Sequence, residues 1–282
     1  MSELHALLEQ LKNEKVGGVA MRDPSLKPPF CRQGNKFYHR KDVIPIIPPH
    51  KRYVECFVGT AAIFYNKEKA EENILNDLDT KIVNGLKMIQ SASLDWNKYR
   101  QDLNTIPKVK AFWDAPQKKT KEDKLIREII RSCFGFSGKP VVKSKNIYKP
   151  SNPFDKLEKH LADWKESLKG VKIENKDYGA ILKKYDSPDT FFFLDPPYEN
   201  THTDFDYAQD VDFNFERLAN LLHDVKGKWL VTINDSPNIR RLFKDFYIKT
   251  WNVKSGWGQA VGDDEKRRGE LLISNYPQKK YP

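Results

Sequence analysis

Thr190-Phe191-Phe192-Phe193-Leu194 is a continuous apolar run that stops abruptly at Asp195-Pro196-Pro197-Tyr198. A strand that is apolar at successive positions must be covered on both faces, which a parallel sheet flanked by helices provides. Comparable segments recur along the chain. Arg52-Tyr53-Val54-Glu55-Cys56-Phe57-Val58 is β-rich and stops at Gly59-Thr60, Asn73-Ile74-Leu75 ends at Asn76-Asp77-Leu78-Asp79, and Trp229-Leu230-Val231-Thr232-Ile233 ends at Asn234-Asp235. Val171-Lys172-Ile173-Glu174 and Leu271-Leu272-Ile273-Ser274 read as two more strands. Ala61 to Tyr65 reads as the opening of a helix, and Ile82, Val83, Leu86 and Ile89 repeat at helical spacing. Strand, helix, strand, helix predicts an α/β, Rossmann-like sheet.

From about residue 91 to 169 that rhythm is interrupted. Lys108 to Lys124 is dense in lysine, Leu125-Ile126-Arg127-Glu128-Ile129-Ile130 is helix-like, and Val141 to Pro150 carries Lys143, Lys145, Tyr148 and Lys149. The expected organisation is therefore an amphipathic helix and lead-in over 1–24, an α/β domain over 25–90 and 170–282, and a mainly helical insertion over 91–169. Leu4, Leu7, Leu8 and Leu11 give the first of these its apolar stripe, and Gly17-Gly18 ends it.

The net charge of +10 and pI near 9.2 make a polyanion the first partner to consider, because lysines and arginines that neutralise phosphates release counterions. Three scattered cysteines exclude a disulfide framework, and neither they nor the six histidines show zinc-ligand spacing. No bound metal is expected. Asp204, Asp206, Asp210 and Asp212, interleaved with Phe205 and Tyr207, read as a closing loop rather than a cation site. The N-terminus lacks the continuous apolar stretch of a signal peptide, and no run of about 18 apolar residues offers a membrane span. The expectation is a soluble, cytoplasmic protein with no membrane partner, a monomer or weak homodimer.

In open α/β sheets ligands bind beyond the carboxyl ends of the strands. Here those ends carry Gly59, Asp77 and Asp195. Gly59 permits close approach to the backbone, and an acidic residue after the second strand commonly accepts from ribose hydroxyls. In Asp195-Pro196-Pro197-Tyr198 the two prolines fix φ just where a loop would otherwise be free. A carboxylate and a backbone carbonyl held there can accept both N–H groups of an exocyclic amine and free its delocalised lone pair. An adjacent tyrosine can stack on a base taken out of the duplex.

The order of these motifs resembles the Dam-like (D12 class, alpha-group) adenine-N6 DNA methyltransferases. Gln33-Gly34-Asn35-Lys36 is similar to the family's N-terminal Gly-Gly-Lys motif, and Glu55-Cys56-Phe57-Val58-Gly59 to its Glu-Pro-Phe-x-Gly loop. Asn76-Asp77-Leu78-Asp79 resembles its acidic turn, Asp177-Tyr178 its adenine-side pair, and Asp195-Pro196-Pro197-Tyr198 its catalytic signature. Thr232 to Asp235 and Glu270 to Ser274 match later strands, so the likeness runs from about Pro28 to Tyr276. The resemblance implies S-adenosylmethionine (SAM) as cofactor, duplex DNA as partner and adenine N6 as acceptor. It places Asp195, Pro196, Pro197 and Tyr198 in catalysis, and Phe57, Gly59, Asp77, Asp177 and Tyr178 around the cofactor. Lys36 falls near the methionine end of SAM or the target pocket. The insertion takes the place of the target-recognition subdomain, with Arg131, Lys139, Lys143, Lys145 and Tyr148 as contacts to nucleic acid.

The sequence also departs from the family pattern. Cys56 replaces a proline, Asn35 a glycine, and Thr60 and Ala61 put side chains where further glycines are usual. A helix that starts a residue earlier, capped by the Thr60 hydroxyl, is one way to accommodate them. Two alternatives remain at this stage: a silent nucleic-acid-binding module of the same architecture, or the same chemistry on RNA adenine or cytosine N4.

Overall fold

A computed structural model describes residues 19–30, 34–91, 103, 106–134, 153–199, 213–252 and 269–279. The expected N-terminal helix, the acidic segment 204–212 and part of the insertion lie outside them. Seven strands form one sheet: β1 (Arg52–Glu55), β2 (Glu72–Asn76), β3 (Lys172–Glu174), β4 (Thr190–Leu194), β5 (Lys228–Asn234), β6 (Tyr247–Asn252) and β7 (Gly269–Ser274). Their order is β3-β2-β1-β4-β5-β7-β6. The first five are parallel, and β7 runs antiparallel to both β5 and β6. The α/β expectation holds.

The phase of each strand divides its residues between two dry layers, because successive side chains point to opposite faces. Tyr53, Leu75, Phe191, Phe193, Leu230 and Leu272 belong to one core. Val54, Ile74, Phe192, Leu194, Val231 and Ile273 belong to the other. All five residues of β4 are buried, as its unbroken apolar run requires. Burying each phenylalanine contributes roughly 1.5–3 kcal/mol. The second core is closed by α5 (Tyr178–Tyr185), α6 (Phe215–Asp224) and α7 (Pro237–Leu242), through Ile181, Leu182, Leu218, Leu222 and Ile239.

The first core is closed by α1 (Thr80–Ser91) together with α2 (Ile106–Asp114), α3 (Lys121–Phe134) and α4 (Pro153–Leu168). These last three lie in the stretch read as an insertion. Val109, Leu125, Ile126, Ile130, Leu161, Trp164 and Leu168 nevertheless share one core with the strands. The Trp164 indole N–H donates to the Lys27 carbonyl at 2.8 Å, and Gln90 on α1 donates to the Leu168 carbonyl at 2.7 Å. Helical sequence of this kind breaks the strand–helix rhythm without needing a core of its own.

The segment after β1 corrects an expectation. No α-helix opens at Ala61; the chain turns, makes one 3-10 turn over Phe64–Asn66, and extends from Lys67. Ala61 is left-handed, with φ +58°, so a right-handed helix cannot start through it. Asn66 then closes the turn: its side chain donates to the Ala62 and Leu26 carbonyls, both at 2.8 Å, and accepts the Leu26 N–H at 2.9 Å. The Phe64–Asn66 turn carries no side-chain cap, and both Thr60 and Ala61 are buried.

Glu55, the last residue of β1, holds this turn from inside. One carboxylate oxygen accepts the Tyr53 hydroxyl at 2.6 Å and the Phe64 N–H at 2.9 Å. The residue is 2% exposed, and burial, opposed by those hydrogen bonds and by Lys67, pushes its pKa up to about 7.

Two outcomes follow from this architecture. A Cβ on Gly227 would lie 2.6 Å from the Thr190 carbonyl oxygen and 3.0 Å from that of Ser187. The glycine is pinned by bonds to Asp186 and Asn275, so Gly227→Ala should cost about 1–3 kcal/mol, read from the urea midpoint. Because Glu55 binds its proton more tightly folded than unfolded, its contribution to stability is complete below pH 4.5 and lost as pH rises through about 7. Stability should therefore fall more steeply over that window in the parent protein than in Glu55→Gln. Parallel pH curves would refute the assignment.

Candidate active site

Strand order reverses between β1 and β4: the chain proceeds outward from β1 to β2 and β3, then returns to place β4 on the other side of β1. A crevice opens at the carboxyl ends of such a neighbouring pair, because their following loops leave in opposite directions. The β1 end supplies the loop Phe57 to Ala61, and the β4 end supplies Asp195 to Tyr198.

Side-chain bonds to backbone shape the first half of the crevice. Asp77, just past β2, accepts the Gly59 N–H at 2.8 Å with one oxygen and the Asp79 N–H at 2.9 Å with the other. Asn76 donates to the carbonyls of Cys56 and Lys176 and accepts the Lys176 N–H, all at 2.9 Å, which ties the ends of β1 and β2 to the chain leaving β3. Gly59 is left-handed, with φ +48°, and a Cβ there would meet no atom within 4 Å. Open space therefore faces its backbone.

Beside this loop, Phe57, Tyr178 and Phe213 form a triangle of rings with centroids 5.3–5.7 Å apart. Asp177 caps α5 by accepting the Gly179 N–H at 3.0 Å and takes both arms of the Arg217 guanidinium, at 2.5 and 3.0 Å. That pairing holds the Asp177 carboxyl below the usual range. The same guanidinium lies 4.6 Å over the Tyr178 ring.

The second half centres on Asp195. Its Oδ1 is 2.8 Å from the Lys36 ammonium and accepts the Thr232 hydroxyl at 2.7 Å. Among the described residues, Oδ2 has no hydrogen bond or ion pair. Lys36 is nearly buried, at 5% exposure, and also donates to the Gly34 carbonyl at 3.1 Å. Asn35 explains its own presence in place of glycine: its side chain accepts the Phe37 N–H at 2.8 Å and caps the 3-10 turn Lys36–His39 that carries the lysine. The ammonium stands 5.0 Å over the Tyr198 ring. Burial drives the Tyr198 hydroxyl far above its ordinary pKa, and burial likewise raises that of Glu270 on β7, which faces Lys36, Tyr198 and Asp195. His39, half-buried beside Lys36, has its pKa lowered by burial and then by that ammonium.

The residues singled out from sequence thus gather in two groups, at the ends of β1 and β2 and at the end of β4. Lys36 sits in the Asp195 group. Pro196 is buried and Pro197 exposed, so the prolines carry the loop from the core to the surface. Arg131 lies on α3; Lys139, Lys143, Lys145 and Tyr148 fall outside the described residues. Thr232, Glu270 and Arg217 escaped the sequence reading as site residues. Thr232 lies inside a motif already noticed, whereas Arg217 is 40 residues from Asp177 and nothing in its own neighbourhood marks it.

Residues 33–256 match the D12 class N6 adenine-specific DNA methyltransferase family. The chain is 30% identical over 260 residues to a DNA N-6-adenine-methyltransferase of Escherichia phage P1, an alignment covering 84% of this chain and 33% of that protein. It spans about a third of that relative's length. It is 27% identical over 277 residues to the Type II methyltransferase M.CviBI of Paramecium bursaria Chlorella virus NC1A, covering 89% of this chain and 100% of that protein. Among solved structures, yhhF of Escherichia coli aligns over 93% of this chain and 92% of its own, at 11% identity and a TM-score of 0.39. No helix among the described residues is long and apolar enough to cross a membrane. With a family match that takes in both halves of the crevice, this chain belongs to the D12 class of N6 adenine-specific DNA methyltransferases, a SAM-dependent family.

Proposed function

We propose that this protein methylates the N6 amino group of adenine in a short duplex DNA sequence, with the target base flipped into a pocket at Asp195 to Tyr198. The observation that carries this reading is the ion-paired Asp195: Lys36 and Thr232 both contact Oδ1 and fix the carboxylate at the end of β4. A carboxylate fixed in that way can accept one N–H of an adenine amine, while a backbone carbonyl of the Pro196-Pro197 turn accepts the other. The nitrogen lone pair, otherwise delocalised into the ring, is then directed toward an electrophile. Tyr198 gives the extruded base an aromatic face.

The other half of the crevice suits SAM, which when bound supplies a methyl group activated by a sulfonium. Gly59 offers bare backbone with open space before it, and Asp77, which orients that backbone, stands just past β2, where an acidic side chain commonly accepts from ribose hydroxyls. Phe57 and Tyr178 provide apolar walls, and Asp177 an acceptor for an adenine amine. Thr60 and Ala61 leave this space open because both side chains are buried in the protein.

Residues 25–90 and 170–282 form the catalytic domain in this reading, and 91–169 contributes the DNA-facing surface. Its described part supports that assignment. Lys110, Lys118, Lys119, Lys121 and Lys124 are exposed on and between α2 and α3. Arg127 stiffens the turn that presents them by donating to the carbonyls of Phe112, Trp113 and Ala115 while pairing with Asp123 at 2.9 Å. Arg131, Lys139, Lys143, Lys145 and Tyr148 extend the same basic stretch as phosphate and base contacts.

The purified protein should transfer labelled methyl from SAM to adenine in DNA from a methylation-free host. Asp195→Ala should lower kcat about 100- to 1000-fold while DNA retention changes little. An Asp195→Ala protein as active as its parent would sink the proposal.

A further inference from the structure

Pro196 and Pro197 stiffen the beginning of the catalytic loop, but nothing in those four residues fixes its far end. That end is held by the strand end Thr232-Ile233-Asn234-Asp235, of which the proposed chemistry uses only Thr232. The Asn234 carboxamide meets the backbone of Glu199 at two points: Oδ1 accepts the Glu199 N–H at 2.8 Å, and Nδ2 donates to the Glu199 carbonyl at 3.2 Å. It pairs with the loop as a neighbouring strand would, five residues after β4 has ended. The Glu199 side chain then crosses to α7, where its carboxylate accepts the Ser236 hydroxyl and, at 2.6 Å, the Asn238 amide. Ser236 is itself fixed, since its oxygen accepts the Ile239 N–H at 3.1 Å as the cap of α7.

We infer that Asn234 and Glu199 are positioning residues for methyl transfer: together they clamp the C-terminal end of the Asp195–Tyr198 loop to β5 and α7. The geometry makes the two ends of the loop interdependent. Thr232, which donates to Asp195, and Asn234, which clamps Glu199, are successive same-face residues of one strand. β5 therefore sets the spacing between the carboxylate that opens the loop and the backbone that closes it. A strand end is a rigid reference, and small displacements of reacting groups can cost about 100-fold in rate. Asn234 can make both contacts because a carboxamide presents an acceptor and a donor side by side. Aspartate supplies only the acceptor, and alanine neither. In the Glu199 carboxylate, two acceptor oxygens meet two donors; an amide keeps both contacts only with the Ser236 hydroxyl turned round to accept, and both then lose their ionic character.

This inference rests on the methyltransferase reading, so the test includes a measurement independent of activity. Asn234→Ala and Asn234→Asp are compared with the parent by steady-state methylation of DNA from a methylation-free host. S-adenosylhomocysteine binding is measured by calorimetry, and deuterium uptake is followed at the amides of Tyr198 and Glu199. In Asn234→Ala, kcat should fall 10- to 100-fold while the KM for SAM and the affinity for S-adenosylhomocysteine stay within about twofold. Asn234→Asp should fall between that variant and the parent, and uptake at the Glu199 amide should accelerate in both. Glu199→Gln should lower kcat in the same manner, whereas Glu199→Asp recovers part of the loss. Unchanged deuterium uptake in Asn234→Ala overturns the clamp even if the parent methylates nothing. Faster uptake with an unchanged kcat overturns its part in catalysis. A parent without activity whose Glu199 amide is nonetheless protected by Asn234 overturns the functional reading and leaves the clamp standing as architecture alone.

Discussion

Both faces of the sheet are dry, and that single constraint decides where polar chemistry can occur. Phe191 and Phe193 look into one core, Phe192 and Leu194 into the other, and helices close both. A charged group within β4 would have to be neutralised or paired at considerable cost. The first position free of that penalty is the residue after the strand, and Asp195 occupies it. Even there the carboxylate is mostly covered, at 20% exposure, and an ammonium and a hydroxyl on Oδ1 balance its desolvation. The site is thus a consequence of how the sheet ends, and Asp195 lies at the boundary of the core.

The loop after β1 shows the same constraint acting on backbone. Gly59 and Ala61 are both left-handed, but only the glycine faces open space; Ala61 is fully buried. Glycine is therefore required where something approaches the chain, whereas alanine is tolerated where its methyl group packs inward and the surrounding bonds over-determine the strained φ. Glu55 beneath and Asp77 above hold this short segment in place. Where the family pattern has glycine and this chain has Thr60 and Ala61, the difference is absorbed on the protein side of the loop.

Much of this was legible in the residues. The strand runs ending at Gly59, Asp77, Asp195 and Asp235 identify a parallel α/β sheet and the edge on which its site lies. The ordered motifs identify the family. Two features escaped for separate reasons. β6, with its lysine, threonine and tryptophan in an exposed edge position, carries no apolar run to advertise it. The helix expected at Ala61 is a turn, because a single left-handed residue outweighs good helical composition. Helices α2 to α4 lie in the stretch read as a mainly helical insertion, and Leu161, Trp164 and Leu168 within it pack into the main core.

Sequence alone determined which residues stand at strand ends, because periodicity and punctuation are local properties of the chain. It also fixed the chemistry available there: a carboxylate held by two prolines, a glycine that admits a ligand, and an acid one strand further on. Only the tertiary structure decided the pairings. Lys36 is 159 positions before Asp195 in the sequence, Thr232 is 37 after it, and Arg217 is 40 from Asp177. The physical reason is that hydrogen bonds and ion pairs act over about 3 Å, whereas the partners are brought within that range by sheet order, the reversal at β1 and β4 above all.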